Sequence, residues 1–554
     1  MLDVLAGAKV RYLFGNPGTT ELPLVEALAG DPRFEYVLGL QEVPVMAIAD
    51  GYAQASRTPG VVNLHICCGL GNAMGMLYNA HRGNVPLIVT AGQQDRRLAF
   101  EEPILWGDMA AVARPWVKWA AEVARVEDVP TAMRRAVQTA LTPPTGPVFL
   151  ALPLDVQTAR ADLDVAAPSV PDPHIRPSTE SLARAADVLA RAANPGILVG
   201  SRICEADAVD ELVAVAERLA APVIHEATTS HGRCSFPSDH PLSAAPLPFW
   251  SPDVRARLAE FDVILVAGMK LMQQYIYHEP ARPVPEHVAL VQVDDDAWEL
   301  GKNYPPAASV RGHPKPALAE LAQRLDATMT ADQTAAARTR FDARSRAHAE
   351  ARASLRREAE SFRNVRPAAP LWLNEQLARV LPADVAVIEE SPTTSAGYLE
   401  RVGALRNCTG YFAHRGWALG WGLNAAIGVK LAWPDRPVLA LIGDGSALYG
   451  IQGLWTAARH RIPVTFVITN NRQYKILKQC ADVLGLPQAA TQHNVGLDLV
   501  GPEVDYVGLA QSLGVAARRI AEPEELAEAV RDSLDGDRPQ LFEIPIDPGL
   551  SEPK

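Results

Sequence analysis

The segment GDGSALYGIQGLWTAARHRIPVTFVITNN, residues 443–471, decides the fold because it places polar groups at the ends of two strands. The preceding run PVLALI is continuously apolar, as expected of a central parallel strand that ends at Gly443. LYGIQGLWTAARH predicts a helix, and PVTFVIT predicts the next strand, which ends at Asn470 and Asn471. Because ligand sites of parallel sheets lie at the carboxyl ends of the strands, we expect Asp444 and Asn471 at the same sheet edge.

These residue types favour a site for a divalent cation and a diphosphate. Gly443 and Gly445 permit a tight turn and a close approach of backbone N–H groups to a diphosphate at the next helix. Asp444 supplies a carboxylate oxygen, and Asn471 supplies an amide oxygen, which are ligands that Mg²⁺ prefers. GDG alone is typical of an ordinary turn, but GDG with NN after 24 intervening residues is a far more specific pattern.

The bulk composition describes a multidomain globular enzyme. A chain of 554 residues predicts about three or four domains. Hydrophobic residues make up 48% and charged residues 21%, which is ordinary for a folded protein. The net charge of −12, without a concentration of Lys and Arg, argues against a nucleic-acid partner.

The cysteines and the apolar runs indicate a cytoplasmic protein without a membrane partner. Six scattered cysteines without a CxxC pair argue against a disulfide framework and a structural zinc site, and they fit a reducing compartment. The N-terminus MLDVLAGAKVRYLF lacks the pattern of a secretory signal. No apolar run approaches the roughly 18 to 20 residues of a membrane span.

Short apolar strands alternate with helix-length segments, which predicts an α/β fold with three consecutive parallel-sheet domains. YVLGL, GVVNLHI, PLIVTAG and PVFLALP are the strands of a first domain, residues 1–162. A Pro-rich linker over 163–178 leads to a second domain, residues 179–330. A charged helical segment over 331–365 precedes a third domain, residues 366–554.

At this spacing, GDG followed by NN resembles the thiamine diphosphate (ThDP) enzymes. The resemblance extends over nearly the whole chain, through FGNPGTTELPLVEAL, LQEVPVMAIADGYAQAS, NLHICCGLGNAMGMLYNA and, in the middle domain, DDDAWELGKNYP. These segments are similar to the decarboxylase and synthase branch, with a pattern closest to benzoylformate decarboxylases; acetohydroxyacid synthases are also similar. The resemblance implies pyrimidine-binding, central and diphosphate-binding domains in that order.

The resemblance assigns cofactor roles to individual residues. It implies Mg²⁺ ligands from Asp444, Asn471 and the backbone carbonyl of Gln473. Glu42 is similar to the carboxylate that hydrogen-bonds N1′ of the cofactor's aminopyrimidine, although an isolated Glu there also fits a helix cap. Leu419 matches the apolar residue that bends the cofactor. Further cofactor contacts are implied for Thr393, Thr394, Gly443, Gly445, Ser446, Tyr474 and Ile476. Glu390 is a further candidate at the same strand end.

The reacting centre is expected to involve His65 and Thr19. His65 matches an acid/base near the reacting carbon, although a lone His at a strand end is often structural. Thr19 takes the place of a serine hydroxyl that touches the substrate carboxylate. The pattern's second histidine is missing: Tyr275 stands at the nearest alignment, and His278 lies three residues away. A further set, His414 and Arg415, is expected to be cationic near Leu419.

The predicted reaction is non-oxidative decarboxylation of a 2-oxo acid, with carboligation to an aldehyde as a side activity. Leu419, Ile476 and Trp417 indicate an apolar pocket for an aromatic or branched substrate. An acetolactate synthase-like carboligase and a 2-hydroxyacyl-CoA lyase remain as alternatives, and the residues leave open whether the central domain holds a nucleotide such as FAD. A nicotinamide dehydrogenase is disfavoured because no GxGxxG follows a predicted strand.

The resemblance also predicts an assembly of identical subunits. The implied site forms between the first domain of one subunit and the third domain of its neighbour. A homodimer is therefore the minimum, and a homotetramer is expected.

Overall fold

Three separate parallel sheets organise the chain. The computed structural model describes residues 1–226, 232–273, 275–279, 282–487 and 495–549. Sheets of six, five and six strands follow one another along the sequence, and every strand pair in them is parallel. The predicted α/β class with three consecutive parallel sheets is confirmed.

The first sheet has the strand order β2-β1-β3-β4-β6-β5. Its strands are β1 Tyr12–Gly15, β2 Glu35–Leu38, β3 Gly60–Leu64, β4 Leu87–Gln93, β5 Ala120–Glu122 and β6 Val148–Pro153. Apolar residues such as Val61 and Val62 are buried on both faces of β3, because helices cover both sides of the sheet. The α-helices of this part are Leu2–Gly7, Leu22–Ala29, Glu42–Ser56, Ile66–Gly83, Met109–Ala113, Val129–Leu141 and Leu154–Thr158.

The second sheet has the order β11-β10-β9-β7-β8. Its strands are β7 Pro195–Val199, β8 Val223–His225, β9 Val263–Ala267, β10 Ala289–Asp294 and β11 Ala308–Arg311. Its helices are Thr179–Ala190, Arg202–Glu205, Val209–Leu219, Ser251–Leu258 and Pro314–Thr328. A helix of 31 residues, Ala331–Ser361, then leads to the third sheet, as the charged segment predicts. Among the described helices, none combines the length and the apolar character needed to cross a membrane.

The third sheet repeats the topology of the first, with the order β13-β12-β14-β15-β17-β16. Its strands are β12 Ala386–Glu390, β13 Tyr411–Ala413, β14 Val438–Gly443, β15 Thr465–Asn470, β16 Ala516–Arg519 and β17 Gln540–Pro545. Its helices are Pro370–Val380, Pro392–Ser395, Tyr398–Arg401, Trp421–Ala432, Asp444–Ala447, Gly453–His460, Lys475–Val483, Tyr506–Ser512 and Pro523–Leu534. In both six-stranded sheets, the chain reverses direction across the sheet between the first and third strands, where ligands of such sheets bind.

The helix predicted over 448–460 is shorter than expected. A helix of four residues, Asp444–Ala447, follows β14 directly, and the main helix begins only at Gly453. Five strands are absent from the sequence-based prediction: the inner strand β1 and the edge strands β5, β11, β13 and β16. The sequences of β5 and β16, AAE and AARR, lack an apolar run because edge strands are half-exposed.

The first and third sheets are joined by two helices that cross in backbone contact. A Cβ added at Gly51 would come to 2.2 Å from the carbonyl oxygen of Ala425, and one added at Gly428 would come to 1.9 Å from that of Ile48. The indole Nε1–H of Trp421 donates to the carboxylate of Asp50 at 2.8 Å across the same contact. Helices Glu42–Ser56 and Trp421–Ala432 are therefore fixed against each other with little freedom to slide.

The first prediction tests this crossing. Gly428→Ala should lower the urea midpoint of unfolding, because overpacking of a tight contact costs about 1–3 kcal/mol, which exceeds the gain of about 1 kcal/mol in helix propensity. Gly71→Ala is the matched control, since a Cβ at this exposed helical position would meet nothing within 4 Å. The control should unfold at an equal or higher urea concentration. Equal midpoints for both variants would show that the close crossing carries no stability.

Candidate active site

Asp444 lies at the carboxyl end of β14, where the third sheet changes direction. Its side chain is only 3% exposed. Its Oδ2 accepts the backbone N–H of Arg472 at 2.6 Å, and its own carbonyl accepts the hydroxyl of Tyr506 at 2.9 Å. Burial raises the pKa of Asp444 to about 6, against the opposing effect of backbone N–H groups. A bound cation would counter this burial by stabilising the charged carboxylate.

The turn that follows β15, residues 470–473, lies beside Asp444 at the same edge of the third sheet, as the sequence predicts. Gly443 lies opposite Thr469 in the register of β14 with β15, so the two strands end side by side. Arg472 has a φ of +60°, and the Oδ1 of Asn471 accepts the N–H of Gln473 at 3.1 Å, which closes the turn. The side chain of Lys478 holds the side-chain oxygen of Gln473 and fixes it further.

These donors fit a divalent cation bound to a diphosphate. The buried edge offers a carboxylate, an amide oxygen and a backbone carbonyl, all hard oxygen ligands. Gly445 leaves room for the neighbouring ring, because a Cβ there would lie 2.6 Å from Cε1 of Tyr474. Gly445 and Ser446 are buried within the short helix that opens at this edge.

A cavity of about 280 Å³ lies beside this edge, between the second and third sheets. Its wall is mainly aromatic and aliphatic, and its members are Phe249, Tyr275, Glu389, Glu390, Ser391, Pro392, Ala413, His414, Trp417, Leu419, Tyr449, Tyr474, Ile476 and Leu477. The second domain closes one side, where the ring of Tyr275 meets that of Trp417 edge-on at 4.7 Å and lies 5.3 Å from that of Phe249. The cavity is therefore shaped for an apolar, flat group.

Two carboxylates in the cavity wall have structural partners. Glu390 accepts the backbone N–H groups of Gly420 at 3.0 Å and Gly422 at 2.8 Å, so it satisfies the first turn of helix Trp421–Ala432. Burial raises the pKa of Glu390 to about 8, while these N–H groups lower it. Glu389 accepts the hydroxyl of Tyr411 at 2.7 Å, and burial raises its pKa to about 7.

The two threonines that follow Glu390 lie next along the chain from the cavity-lining residues Ser391 and Pro392. Helix Pro392–Ser395 contains Thr393, which is half-buried, and Thr394, which is buried. The carbonyl of Thr394 accepts the side-chain amide of Asn374 at 2.7 Å. This bond anchors the turn after β12, whereas Ser391 and Pro392 of the same turn face the cavity.

The three candidates for a second proton-transfer group differ in whether they reach the cavity. Tyr275 and His414 line the cavity, and His278 does not. The ring of His278 instead packs against Trp250, with centroids 5.3 Å apart. The expectation that His414 is cationic is wrong, because burial lowers its pKa to about 4 and leaves a neutral imidazole at neutral pH. Arg415 lies 3.7 Å from the buried carboxylate of Glu226.

Glu42 opens helix Glu42–Ser56 in the first domain, and its side chain is 6% exposed. The helix cap is the preceding residue, since the side chain of Gln41 accepts the N–H of Val43 at 2.5 Å. Oε2 of Glu42 accepts the side-chain amide of Asn72 at 3.1 Å. No cation in the described residues forms an ion pair with Glu42.

His65 follows β3 and is held by a buried carboxylate that the sequence does not reveal. Its Nδ1 lies 2.8 Å from Oε2 of Glu21, whose side chain is fully buried. Glu21 also accepts the N–H of Gly18 at 2.9 Å and that of Gly92 at 2.8 Å. The imidazole fills the space beside Gly18, where a Cβ would lie 2.1 Å from Nδ1. A glutamate beside apolar residues carries no sequence signal for such burial.

The adjacent threonines differ in their surroundings. Thr20 is buried and donates to Glu21 at 2.8 Å, whereas Thr19 is exposed beside it at the end of β1. Thr19 and His65 therefore lie at the direction change of the first sheet, in the position that Asp444 occupies in the third.

The first-domain residues do not reach the cavity of their own chain. All of its lining residues belong to the second and third domains, and Glu42, His65 and Thr19 are not among them. One chain thus carries two separate groups. One is the sheet edge with Asp444 and Asn471 beside the cavity, and the other consists of Glu42 and His65 in the first domain.

Three protein-family models match this chain, one for each of its three sheets. Models of the thiamine pyrophosphate enzymes match the N-terminal TPP binding domain at residues 1–104, the central domain at 182–321 and the C-terminal TPP binding domain at 395–544. The central match falls on the second sheet, and the other two fall on the matching six-stranded sheets.

Individual relatives cover nearly the full chain. A benzoylformate decarboxylase of Pseudomonas aeruginosa is 36% identical over 98% of this chain and 97% of its own length. A probable acetolactate synthase large subunit of Methanocaldococcus jannaschii is 27% identical over 100% of this chain and 92% of its own. The structure of the 4-hydroxybenzoylformate decarboxylase of Rhodococcus jostii RHA1 superposes with a TM-score of 0.85 at 31% identity, covering 99% of this chain and 98% of that one. The chain therefore belongs to the thiamine diphosphate-dependent enzymes, in the family of decarboxylases and acetolactate synthases.

Proposed function

We propose that this protein is a ThDP- and Mg²⁺-dependent decarboxylase of aromatic or branched apolar 2-oxo acids. The substrate takes up one proton and yields an aldehyde and CO₂. The observation that carries the proposal is the cavity of about 280 Å³, whose aromatic wall adjoins the edge that bears Asp444 and Asn471. A phenyl group would bury its faces against Trp417, Tyr275 and Phe249, which favours an aromatic substituent over a charged one.

The chain's own residues would hold the cofactor in two places. Asp444, Asn471 and the carbonyl of Gln473 would bind Mg²⁺, and the turn at Gly443, Gly445 and Ser446 would receive the diphosphate. Glu42 would accept a hydrogen bond from the aminopyrimidine. When bound, ThDP supplies the carbon nucleophile and the electron sink for the loss of CO₂.

Leu419, Tyr474 and Ile476 line the cavity beside the cation edge, where they would pack on the thiazolium side of the cofactor and exclude water. Thr393 and Thr394 would contact the cofactor from the turn after β12, which the bond from Asn374 to the carbonyl of Thr394 anchors.

His65 and Thr19 would serve the substrate. With Nδ1–H donated to Glu21, the imidazole presents Nε2 as its free nitrogen, so it can exchange a proton with the substrate oxygen or carbon. The exposed hydroxyl of Thr19 would hold the substrate carboxylate. His414 is neutral at neutral pH and Tyr275 stands where a second histidine is missing, so neither residue supplies a cationic proton donor from the cavity side. Slow protonation would leave time for attack on an aldehyde, which gives carboligation as a side activity.

The complete site would need a second subunit. Glu42 and His65 are absent from the cavity of their own chain, which supports a site built from the first domain of one copy and the third domain of another. We therefore propose a homodimer as the minimum and a homotetramer as the full assembly. The six cysteines are free thiols, in keeping with a reducing cytoplasm as the place of action.

The second prediction concerns the substrate. Purified holoenzyme should release CO₂ from phenylglyoxylate with a kcat/KM about 10-fold or more above that for pyruvate, because burial of a phenyl group contributes about 1.5–3 kcal/mol. Branched-chain 2-oxo acids should fall between the two. Trp417→Ala should reduce the preference, and Trp298→Ala, at an exposed position of the central domain, should not. Cleavage of a 2-hydroxyacyl-CoA without CO₂ release from any of these acids would assign the protein to the lyases.

The third prediction concerns the metal. Chelation should remove ThDP from the protein, and Mg²⁺ should restore binding, because the cation joins the diphosphate to the buried oxygens at this edge. Asp444→Ala should abolish Mg²⁺-dependent ThDP binding in calorimetry, whereas Asp482→Ala, on an exposed helix position nearby, should retain it. Undiminished ThDP affinity in Asp444→Ala would refute the assigned metal site.

The fourth prediction concerns the shared site. Glu42→Gln and Asp444→Ala should each be inactive, yet regain activity when the two chains are unfolded and refolded together. Half of the randomly formed dimers would be mixed, with one intact site of two, so about a quarter of wild-type activity should return. Separately refolded samples provide the control, and absence of recovery at full dimer yield would place both residues in one chain's site.

A further inference from the structure

A second cavity of about 420 Å³ lies where the long helix Ala331–Ser361 passes the second and third domains. Its remaining walls come from residues 241–245, Pro222 and Arg257 of the second domain and from Glu400 and Arg401 of the third. Its volume falls in the range of pockets that bind small organic molecules. It shares no lining residue with the aromatic cavity.

The long helix presents two chemically different rows to this cavity. Lining positions 344, 347, 348, 351, 352 and 355 share one helix face, because they recur at intervals of three and four residues. Arg344 and Arg352 form a cationic row, with His348 between them at a spacing of four; burial lowers the pKa of His348, so the arginines supply the charge. Beside it, Ala347, Ala351, Leu355 and the facing Leu242, Ala244 and Pro222 form an apolar surface.

The cationic row has too few anionic partners. Among the described residues, no carboxylate oxygen lies within 4.0 Å of a guanidinium nitrogen of Arg344, Arg352 or Arg401. Arg344 donates to the side-chain oxygen of Asn194 at 2.8 Å, and Arg352 donates to the carbonyl of Val402 at 3.0 Å, both neutral acceptors. Nε of Arg344 is buried without a hydrogen-bond partner among the residues that the structure describes.

Two of the acidic neighbours are already engaged, whereas Asp239 acts on Arg352 and His348 by its charge without forming an ion pair with either. Glu400, in the cavity wall, lies 2.6 Å from Nδ1 of the buried His225, and Glu260 pairs with Arg257 at 3.0 Å. Burial lowers the pKa of the guanidinium group of Arg344, and the nearby cations Arg340 and Arg257 lower it further. A half-buried cation with other cations beside it is stabilised by an added anion.

We propose that this cavity binds a small organic anion, with its carboxylate or phosphate on Arg344, Arg352 and Arg401 and its apolar body on Ala347, Ala351 and Leu355. The inference does not depend on the proposed decarboxylase activity. It identifies a second ligand site, formed where the long helix joins the two domains.

Calorimetric titration of the ThDP- and Mg²⁺-loaded protein with phenyl phosphate and with phenylacetate tests this site. We expect at least one of them to saturate it, and benzyl alcohol, which has no charge, to bind at least 10-fold more weakly. Ala351→Phe, which fills the apolar half, and Arg401→Gln, which removes an unpaired cation, should each weaken binding about 10-fold or more. The better of the two anions identifies the preferred head group.

Matched variants on the same helix distinguish this cavity from other binding places. Ala349→Phe and Arg346→Gln alter exposed positions of the helix outside the cavity lining, and both should bind the anion as the wild type does. Anion binding in the aromatic cavity would be equally strong in all four variants, and that result would overturn the proposal. Equal affinity for benzyl alcohol would also overturn it. Arg401→Gln keeps the test decisive if Ala351→Phe fails to fold, since Arg401 is exposed and forms no ion pair with a described residue.

Discussion

Backbone contact between helices Glu42–Ser56 and Trp421–Ala432 sets the positions of Glu42 in the first domain and of the Leu419–Gly420 turn in the third. Each helix begins at a candidate site position: one starts with Glu42 itself, and the other follows the Leu419–Gly420 turn. The glycines at the crossing bring the axes so close that neither helix can slide without a clash of carbonyl oxygens. The buried bond from Trp421 to Asp50 holds the rotational setting as well. Gly51 and Gly428 therefore fix the positions of Glu42 and of the Leu419–Gly420 turn, although neither glycine offers a side chain of its own.

The two six-stranded sheets share one strand order and use it for different chemistry. In the third sheet, the direction change carries oxygen ligands and a cavity, which suit a charged diphosphate and an apolar substrate. In the first, the same place carries His65 and Thr19, which suit proton transfer and carboxylate binding. The shared strand order thus places different polar groups at equivalent points of the two sheets, and only those of the third sheet adjoin the cavity of the same chain.

Much of the fold and of the cation edge follows from sequence, because both depend on local patterns. GDG and NN each end an apolar strand, and the register of parallel strands alone brings Asp444 to Asn471. Glu21 escapes prediction because its burial depends on three separate segments that converge on its oxygens, at Gly18, His65 and Gly92. The charge of His414 escapes for the same reason, since its pKa is set by burial that only the assembled fold creates.

Gly18 shows how a residue without a side chain can determine where a histidine ring lies. It offers no side-chain chemistry, yet the missing side chain is the space that the imidazole of His65 occupies. Its backbone N–H also donates to the carboxylate of Glu21, which holds the imidazole. In a mutational scan of this protein, sensitivity at position 18 would therefore be easily misassigned to catalysis or to loop flexibility. It would report the volume reserved for a neighbouring ring.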